Sequence, residues 1–349
     1  MQLNTQSLIG FVTDVMVSAG MKREDAFLFA DALVYADMRG VGSHGVTRLA
    51  TYYRRIREGL VDPKAEVSVL SERPSLIRLD GNNGMGVPLA CKAMDMCIEH
   101  ASVTGTCFAS VNHGNHFGCA SYFVRRAAEK GMIGIAMANS NKAVAVTGGC
   151  EPMLGTNPLA IALPAKGMAP FILDMATSVV ARGKIKLAEK EQRPIPEGWG
   201  MDKNGTVTTD PSNVAFLMPF GGYKGYGISV VIDILCSVLA GAANSRTMGS
   251  FYGFDGSTQN TGFFVGAMDP AAVMDRDEFE AGVAEFLTDM KNSKKAEGVD
   301  EIYVAGEKEQ RKYEAAKQNG IRISDVIIAE LKDTAEKSGV PFDCEMKEA

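Results

Sequence analysis

An α/β fold with helical stretches at both chain ends is what this sequence predicts, on three observations. The first seventy or so residues carry apolar side chains at helical spacing, the middle alternates short apolar runs with helical patterns, and the end returns to charged, capped helices. The chain has 349 residues, 46% of them hydrophobic and 22% charged, which allows two domains with cores of ordinary size and argues against disorder.

Taken in order, Leu8, Ile9, Phe11, Val12, Val15 and Met16 form one stripe that stops at Gly20. Residues 24–38 follow, with Phe27, Ala30, Leu33, Val34 and Ala36 at helical spacing, and a third helix is expected from Ser43. Pro63, Ser71 and Pro74 make residues 61–74 a connection. Strands are then expected at 76–79, 107–111, 133–138, 159–163, 171–173 and 263–267, with helices at 87–104, 116–130 and 226–242. Residues 307–318 read as a charged helix. Ser324 is a good cap for 325–338, which Gly339 and Pro341 close.

Charge and cysteine content narrow the function. The net charge is −6 and no block of like charge is long enough to track a phosphate backbone, so nucleic acid is not an expected partner. The longest apolar stretches, 26–36 and 230–243, are broken by Asp31 and Asp233 and fall short of a membrane span. No secretory signal pattern stands at the N-terminus. Seven scattered cysteines with no CxxC pair suggest free, mostly buried thiols in a reducing cytoplasm.

Four stretches carry candidate chemistry. In GSHGVTRLATY, residues 42–52, a helix starting near Ser43 would stack His44, Arg48 and Tyr52 on successive turns, with the serine hydroxyl beside them. Arginine grips a carboxylate through two parallel hydrogen bonds and histidine exchanges a proton near neutral pH, equipment for a small hydroxy or keto acid. A solvated helix with a satisfied histidine is the alternative. Gly40, Gly42 and Gly45 spell GxGxxG, but a helix precedes them where a dinucleotide-binding turn needs a strand.

In HGNH, His113 and His116 follow the strand at 107–111, and a helix beginning at His116 would hold that imidazole neutral, as a general base requires. A shared metal ion is the rival reading, against which stands the lack of neighbouring carboxylate or cysteine ligands; no metal is expected. His100, within an amphipathic helix, reads as a surface or boundary residue. Gly148, Gly149, Gly155, Thr156, Asn157 and Pro158 make a loop rich in backbone donors. Gly221, Gly222, Lys224, Gly225 and Gly227 put an ammonium among exposed amides at a helix start, a cradle for pyrophosphate or merely a turn.

Together these residues resemble the malate/L-lactate/ureidoglycolate dehydrogenase family, the non-Rossmann group that also contains sulfolactate dehydrogenase. The likeness runs from about Leu8 to about Val326 through DMRGVGSHGVTRL, HFG (from His116), GTNPLAIALP, DMATSVVARGKI (from Asp174), IPEGWGMDKNGTVTTDP, GGYKGYG and AGEKEQ. The resemblance implies a sulfolactate dehydrogenase-like α/β fold: a mixed β-sheet cofactor domain over 76–284 and a helical domain built from 1–75 with 285–349. It implies an NAD-linked enzyme, NADP being possible, acting on a small 2-hydroxy or 2-keto acid such as L-malate, with ureidoglycolate, L-lactate or the substrate of another 2-keto or imino acid reductase of the family as alternatives, and working as a homodimer. By position His116 is the acid–base residue, with His44 the alternative, and Ser43, Arg48 and Tyr52 hold the substrate. Ser140, Asp174, Met175, Ala176, Lys224, Gly225, Gly306, Glu307 and Lys308 fall where the family contacts the dinucleotide. One departure stands out: where many members carry prolines and an aromatic, this chain reads NSNKAVAVTGG. Its Lys142 is either a second cation for a dicarboxylate or a solvated lysine.

Overall fold

Asn4 opens the first helix, α1 (Thr5–Ser18), by accepting hydrogen bonds from the Gln6 and Ser7 N–H groups. Helix α1 lays its Leu8, Val12 and Val15 stripe on α2 (Arg23–Met38), which turns Phe29 and Leu33 inward. The computed structural model that shows this describes residues 2–344; residue 1 and residues 345–349, the outer ends of the expected helical unit, lie outside it. Two 3₁₀ turns, Gly42–His44 and Val46–Arg48, precede α3 (Leu49–Arg57), so the helix expected from Ser43 begins at Leu49 instead. The delay has a cause in Gly45, whose extended backbone (φ −89°, ψ −155°) interrupts the helical run.

The main sheet has seven strands in the order Ser68–Arg73, Leu76–Asp80, Thr106–Gly114, Thr261–Met268, Ile133–Ala138, Leu159–Leu163, Phe171–Met175. Only the Leu76–Asp80 and Thr106–Gly114 pair is parallel, joined by the crossover helix α4 (Gly86–Thr104), so the sheet is mixed, as expected. The edge strand Ser68–Arg73 corrects the reading of 61–74 as pure connection. Both its faces are exposed, so it has no in–out alternation to betray it. Helices α4 and α5 (Ser121–Ala128) cover one face of the sheet.

A second, five-stranded sheet has the order Val207–Thr208, Gly200–Met201, Phe216–Leu217, Val144–Ala145, Pro152–Leu154, with α6 (Arg182–Lys190) nearby. It has a small core of its own, Val144, Leu154, Val180, Ile185, Ile195 and Leu217. The helix expected over 226–242 is α7 (Tyr223–Asp233) running into a π-helical turn, Ile234–Leu239, that packs on the second face of the main sheet. That turn passes so close to the strand beneath that a Cβ on Gly262 would lie 1.6 Å from the Cys236 carbonyl oxygen, so only glycine fits there.

Helices α8 (Arg276–Asn292), α9 (Glu307–Asn319) and α10 (Asp325–Ser338) complete the chain. Ser324 accepts from the Ile327 N–H and Gly339 closes α10 at φ +70°, as the sequence predicts. Helix α10 packs on α1 and α3, and Gln2–Leu3 pairs antiparallel with Ile321–Arg322, which binds the two chain ends together. One apolar core runs from α1, α2, α3 and α10 into the main sheet. Six of the seven cysteines are buried and all are free; Cys150 is exposed. Among the described residues no helix is long and apolar enough to cross a membrane.

Candidate active site

The register of the main sheet brings the motif residues to one end of it. Gly114 pairs with Thr261, Ala138 with Phe263, Met137 with Leu159, and Leu159 with Met175. The loops bearing His116, Ser140, Asn157, Ala176 and Gln259 therefore all leave or enter the sheet at that end. Helix α3 and the turns before it supply the opposing wall.

His116 stands in a loop before α5, which starts at Ser121 and not at His116, so no helix terminus sets its protonation. Its environment does so by other means. Burial, then the neighbouring His44, Arg48 and Arg55, push the imidazole well below its usual 6.5. Nδ1 of His116 shares a hydrogen bond with the Tyr52 phenol, the His116 backbone N–H donates to Gln259 Oε1 at 3.0 Å, and the imidazole lies 4.8 Å from the Phe251 ring. With Nδ1 engaged, Nε2 is the nitrogen left for a reacting group. His44 stacks on His116 at 5.6 Å and 18°, and burial with the adjacent Arg48 lowers it to about 4. Two neutral imidazoles and one phenol, itself raised above its usual range by burial, thus meet at one point.

Arg48 donates through Nε to the Ser43 carbonyl oxygen at 2.6 Å, which leaves the two terminal nitrogens of the guanidinium as an open fork. Its guanidinium sits over the Phe251 and Tyr252 rings at 5.6 and 5.2 Å, and the Ser43 hydroxyl lies 3.0 Å from His44 Nδ1. The turn carrying Ser43 and His44 is fastened by the Val46 N–H donating to Asp37 Oδ2 at 2.8 Å. Low solvation raises that carboxyl to about 7. A Cβ on Gly45 would fall 2.0 Å from Asp37 Oδ1, so this glycine serves side-chain packing, while Gly40 takes φ +75° after α2. Neither follows a strand, so the GxGxxG spelling lacks the context that a dinucleotide-binding turn requires.

His113 and His116 do not converge on a common ion. His113 turns to the Asp80 carboxylate at 2.9 Å, and no group of three or more metal-ligating side chains occurs among the described residues. His100 is paired with Glu72 at the surface.

On the other side of the cluster, Ser140 is held by its N–H donating to Asn157 Oδ1 (3.0 Å), and its hydroxyl accepts the Thr156 N–H (2.9 Å). Asp174 accepts from the Ser121 N–H at the start of α5; Met175 is the last residue of the edge strand and Ala176 the first beyond it. Thr177 and Phe220 are hydrogen-bonded, and the Gly225 N–H donates to the Phe220 carbonyl, so the first turn of α7 with exposed Lys224 lies beside Ala176. Gly221 and Gly222 face open space there. Further along the edge strand, Gly306 abuts the Ile172 backbone, and a cavity of about 430 Å³ opens between residues 168–171 and 304–307. Glu307 is tied to Lys291 and Arg311, and Lys308 lies over the Tyr303 ring. Open glycine backbone, an exposed ammonium and a cavity of ligand size along one strand edge fit an extended dinucleotide.

Lys142 is exposed; its backbone N–H donates to the Ser245 carbonyl. The sequence reading missed Phe251, Tyr252, Gln259 and Arg55. Three of them lie in or beside a glycine-rich irregular stretch with no periodicity to flag them, and Arg55 reads as one of several charges on α3.

Comparison with known proteins gives a consistent result. The family model described as malate/L-lactate dehydrogenase matches residues 3–332. Malate dehydrogenase of Pyrococcus abyssi is 38% identical over 343 residues, 95% of this chain and 94% of that protein. Ureidoglycolate dehydrogenase (NAD(+)) of Escherichia coli K12 is 35% identical over 95% of each chain. The solved structure of sulfolactate dehydrogenase from Methanocaldococcus jannaschii superposes with a TM-score of 0.93 at 35% identity, covering 98% of this chain and 99% of that one.

Proposed function

Given that the chain belongs to the malate/L-lactate dehydrogenase family, whose members oxidise 2-hydroxy acids, we propose that it converts L-malate to its keto acid, or the reverse, with NAD. The observation that carries the reading is the meeting of His116, Tyr52, His44 and the open Arg48 fork at one sheet end. In the oxidative direction Arg48 takes the substrate carboxylate in a two-point grip, fixing the carbon to be oxidised near His116. The Nδ1–H of His116, donated to Tyr52 Oη, leaves the Nε2 lone pair to accept the hydroxyl proton. Tyr52, kept a phenol by burial, steadies the imidazolium that results. The nicotinamide ring, when bound, supplies the hydride acceptor. His44 and Ser43 close the substrate wall.

Ser140, Asp174, Met175, Ala176, Lys224, Gly225 and the turn Gly306, Glu307, Lys308 are the residues we assign to the dinucleotide, on the strength of their placement at one end of the sheet and along its edge strand. A second copy of the chain is the proposed partner, supported by the exposed apolar side chains Tyr223, Val231, Ile234 and Val238 along α7 and its π turn. The cofactor assignment is tested by Lys224→Ala, which should weaken NADH binding severalfold in a fluorescence titration, whereas Gly40→Ala should leave it largely unchanged apart from loop strain. The reverse ranking would sink it. The substrate is tested by scoring NADH formation across L-malate, L-lactate, sulfolactate and ureidoglycolate. We expect the highest kcat/KM with L-malate; a higher value with ureidoglycolate or L-lactate moves the assignment to that acid.

A further inference from the structure

Arg55 is the largest fully buried side chain described, at 0% exposure, and the carboxylate that acts on it, Asp255, does so without a hydrogen bond to it. One terminal nitrogen lies within hydrogen-bonding distance of three carbonyl oxygens of one loop, those of Ser250 (3.1 Å), Phe251 (3.1 Å) and Gly253 (3.2 Å). Its Nε and second terminal nitrogen are buried with no partner. A buried cation with two unmet donors is expensive, since both desolvation and the missing hydrogen bonds count against the folded state. Such a residue calls for a role other than stability.

The segment it clasps supplies one. Phe251 is the side chain on which the proposed catalytic cluster converges: its ring lies 4.8 Å from His116, 5.1 Å from Tyr52 and 5.6 Å from the Arg48 guanidinium, and Tyr252 lies 5.2 Å from Arg48. Residues 245–260 contain no helix or strand, so nothing in the backbone pattern of that stretch fixes Phe251 in place. Asn141 helps from one side, donating to the Met248 and Gly249 carbonyls and accepting from the Phe251 N–H. Arg55 holds the other side from within α3, the same helix that carries Tyr52. We propose that Arg55 is a positioning residue of the active site, which pins Ser250–Gly253 so that Phe251 walls the substrate pocket over His116 and Arg48.

The inference rests on the dehydrogenase reading, and it has two separable consequences. The mechanical one is substrate binding: with the clasp lost, Phe251 drifts and the acid is held less well. The electrical one is the protonation of His116. The groups facing that imidazole are His44, Arg48, Tyr52 and Arg55, with Asp174 acting on His44, and both arginines work against the charged form. Removing one cation lets His116 bind its proton more readily, so the rising limb of the oxidation profile moves to higher pH.

Three variants separate these effects. Arg55→Met should raise KM for the acid by on the order of tenfold, given how steeply rate depends on placement of reacting groups, and should move the limb upward. Arg55→Lys keeps a charge but cannot span three acceptors, so KM should rise with the limb in place. Phe251→Leu should raise KM alone, and it stands as the test if the Arg55 variants do not fold. NADH affinity and Tm are measured beside them. An NADH Kd that stays within about twofold while KM for the acid rises supports positioning. An unchanged KM in Arg55→Lys and Phe251→Leu, or a Kd for NADH that worsens in parallel with KM, overturns it. Failure of the parent protein to oxidise any 2-hydroxy acid would instead sink the functional reading on which the inference rests.

Discussion

Replacing His116 with glutamine should lower turnover by about a hundred- to ten-thousand-fold while leaving folding and NADH affinity intact, the span expected when a positioned general base is removed. The pH profile gives the sharper readout. His116 must be neutral to take the hydroxyl proton, so oxidation rises with pH through its pKa. Burial, His44, Arg48 and Arg55 all depress that value, so in kcat/KM the limb should lie on the acid side of 6.5, with a plateau already reached at pH 7. In His116→Gln the limb should vanish. His44→Gln should be milder and should keep it, because His44 stacks on the base rather than contacting Tyr52. Loss of the limb in His44→Gln together with its survival in His116→Gln would transfer the proton to His44.

Arg48→Lys should produce the second largest loss, roughly ten- to a hundredfold in kcat/KM for the acid, with NADH binding nearly unchanged. Lysine preserves the charge but offers one point in place of a fork, and it also forfeits the Nε contact to Ser43 that aims the side chain. Substrate amides should lose less than the acids. Equal losses for acid and amide would reduce Arg48 to a structural residue of the Ser43 turn.

Several elements of the fold are legible in the sequence because their patterns are local. The strands Ile133–Ala138 and Leu159–Leu163 and the capped helix Asp325–Ser338 match their expected limits. Errors arise where a distant contact overrides a local pattern. The Asp37 carboxylate holds the turn before α3 out of helix, and the loop after Gly114 postpones α5 to Ser121. His116 is neutral for a reason the sequence does not display, since burial and three cationic or ionisable neighbours come from other parts of the chain. The motif residues themselves were found because they cluster as short words around Ser43, His116, Asp174 and Lys224. Phe251 and Arg55 form no word, and only the folded chain shows that they touch.

The pairing of Gln2–Leu3 with Ile321–Arg322 has a consequence for how the molecule is made. A ribosome adds about 5–20 residues per second, so roughly 15–60 s separate the appearance of Leu3 from that of its partner Ile321. Throughout that interval the stripe of α1 that will meet α10 is without cover, and the wall bearing Arg48 and Tyr52 lacks its final support. Apolar surface left open in a nascent chain is prone to aggregation until its cover arrives. Substitution of Leu331, a buried residue of the covering helix, should then reduce yield during synthesis more than it reduces the resistance of the finished protein to heat.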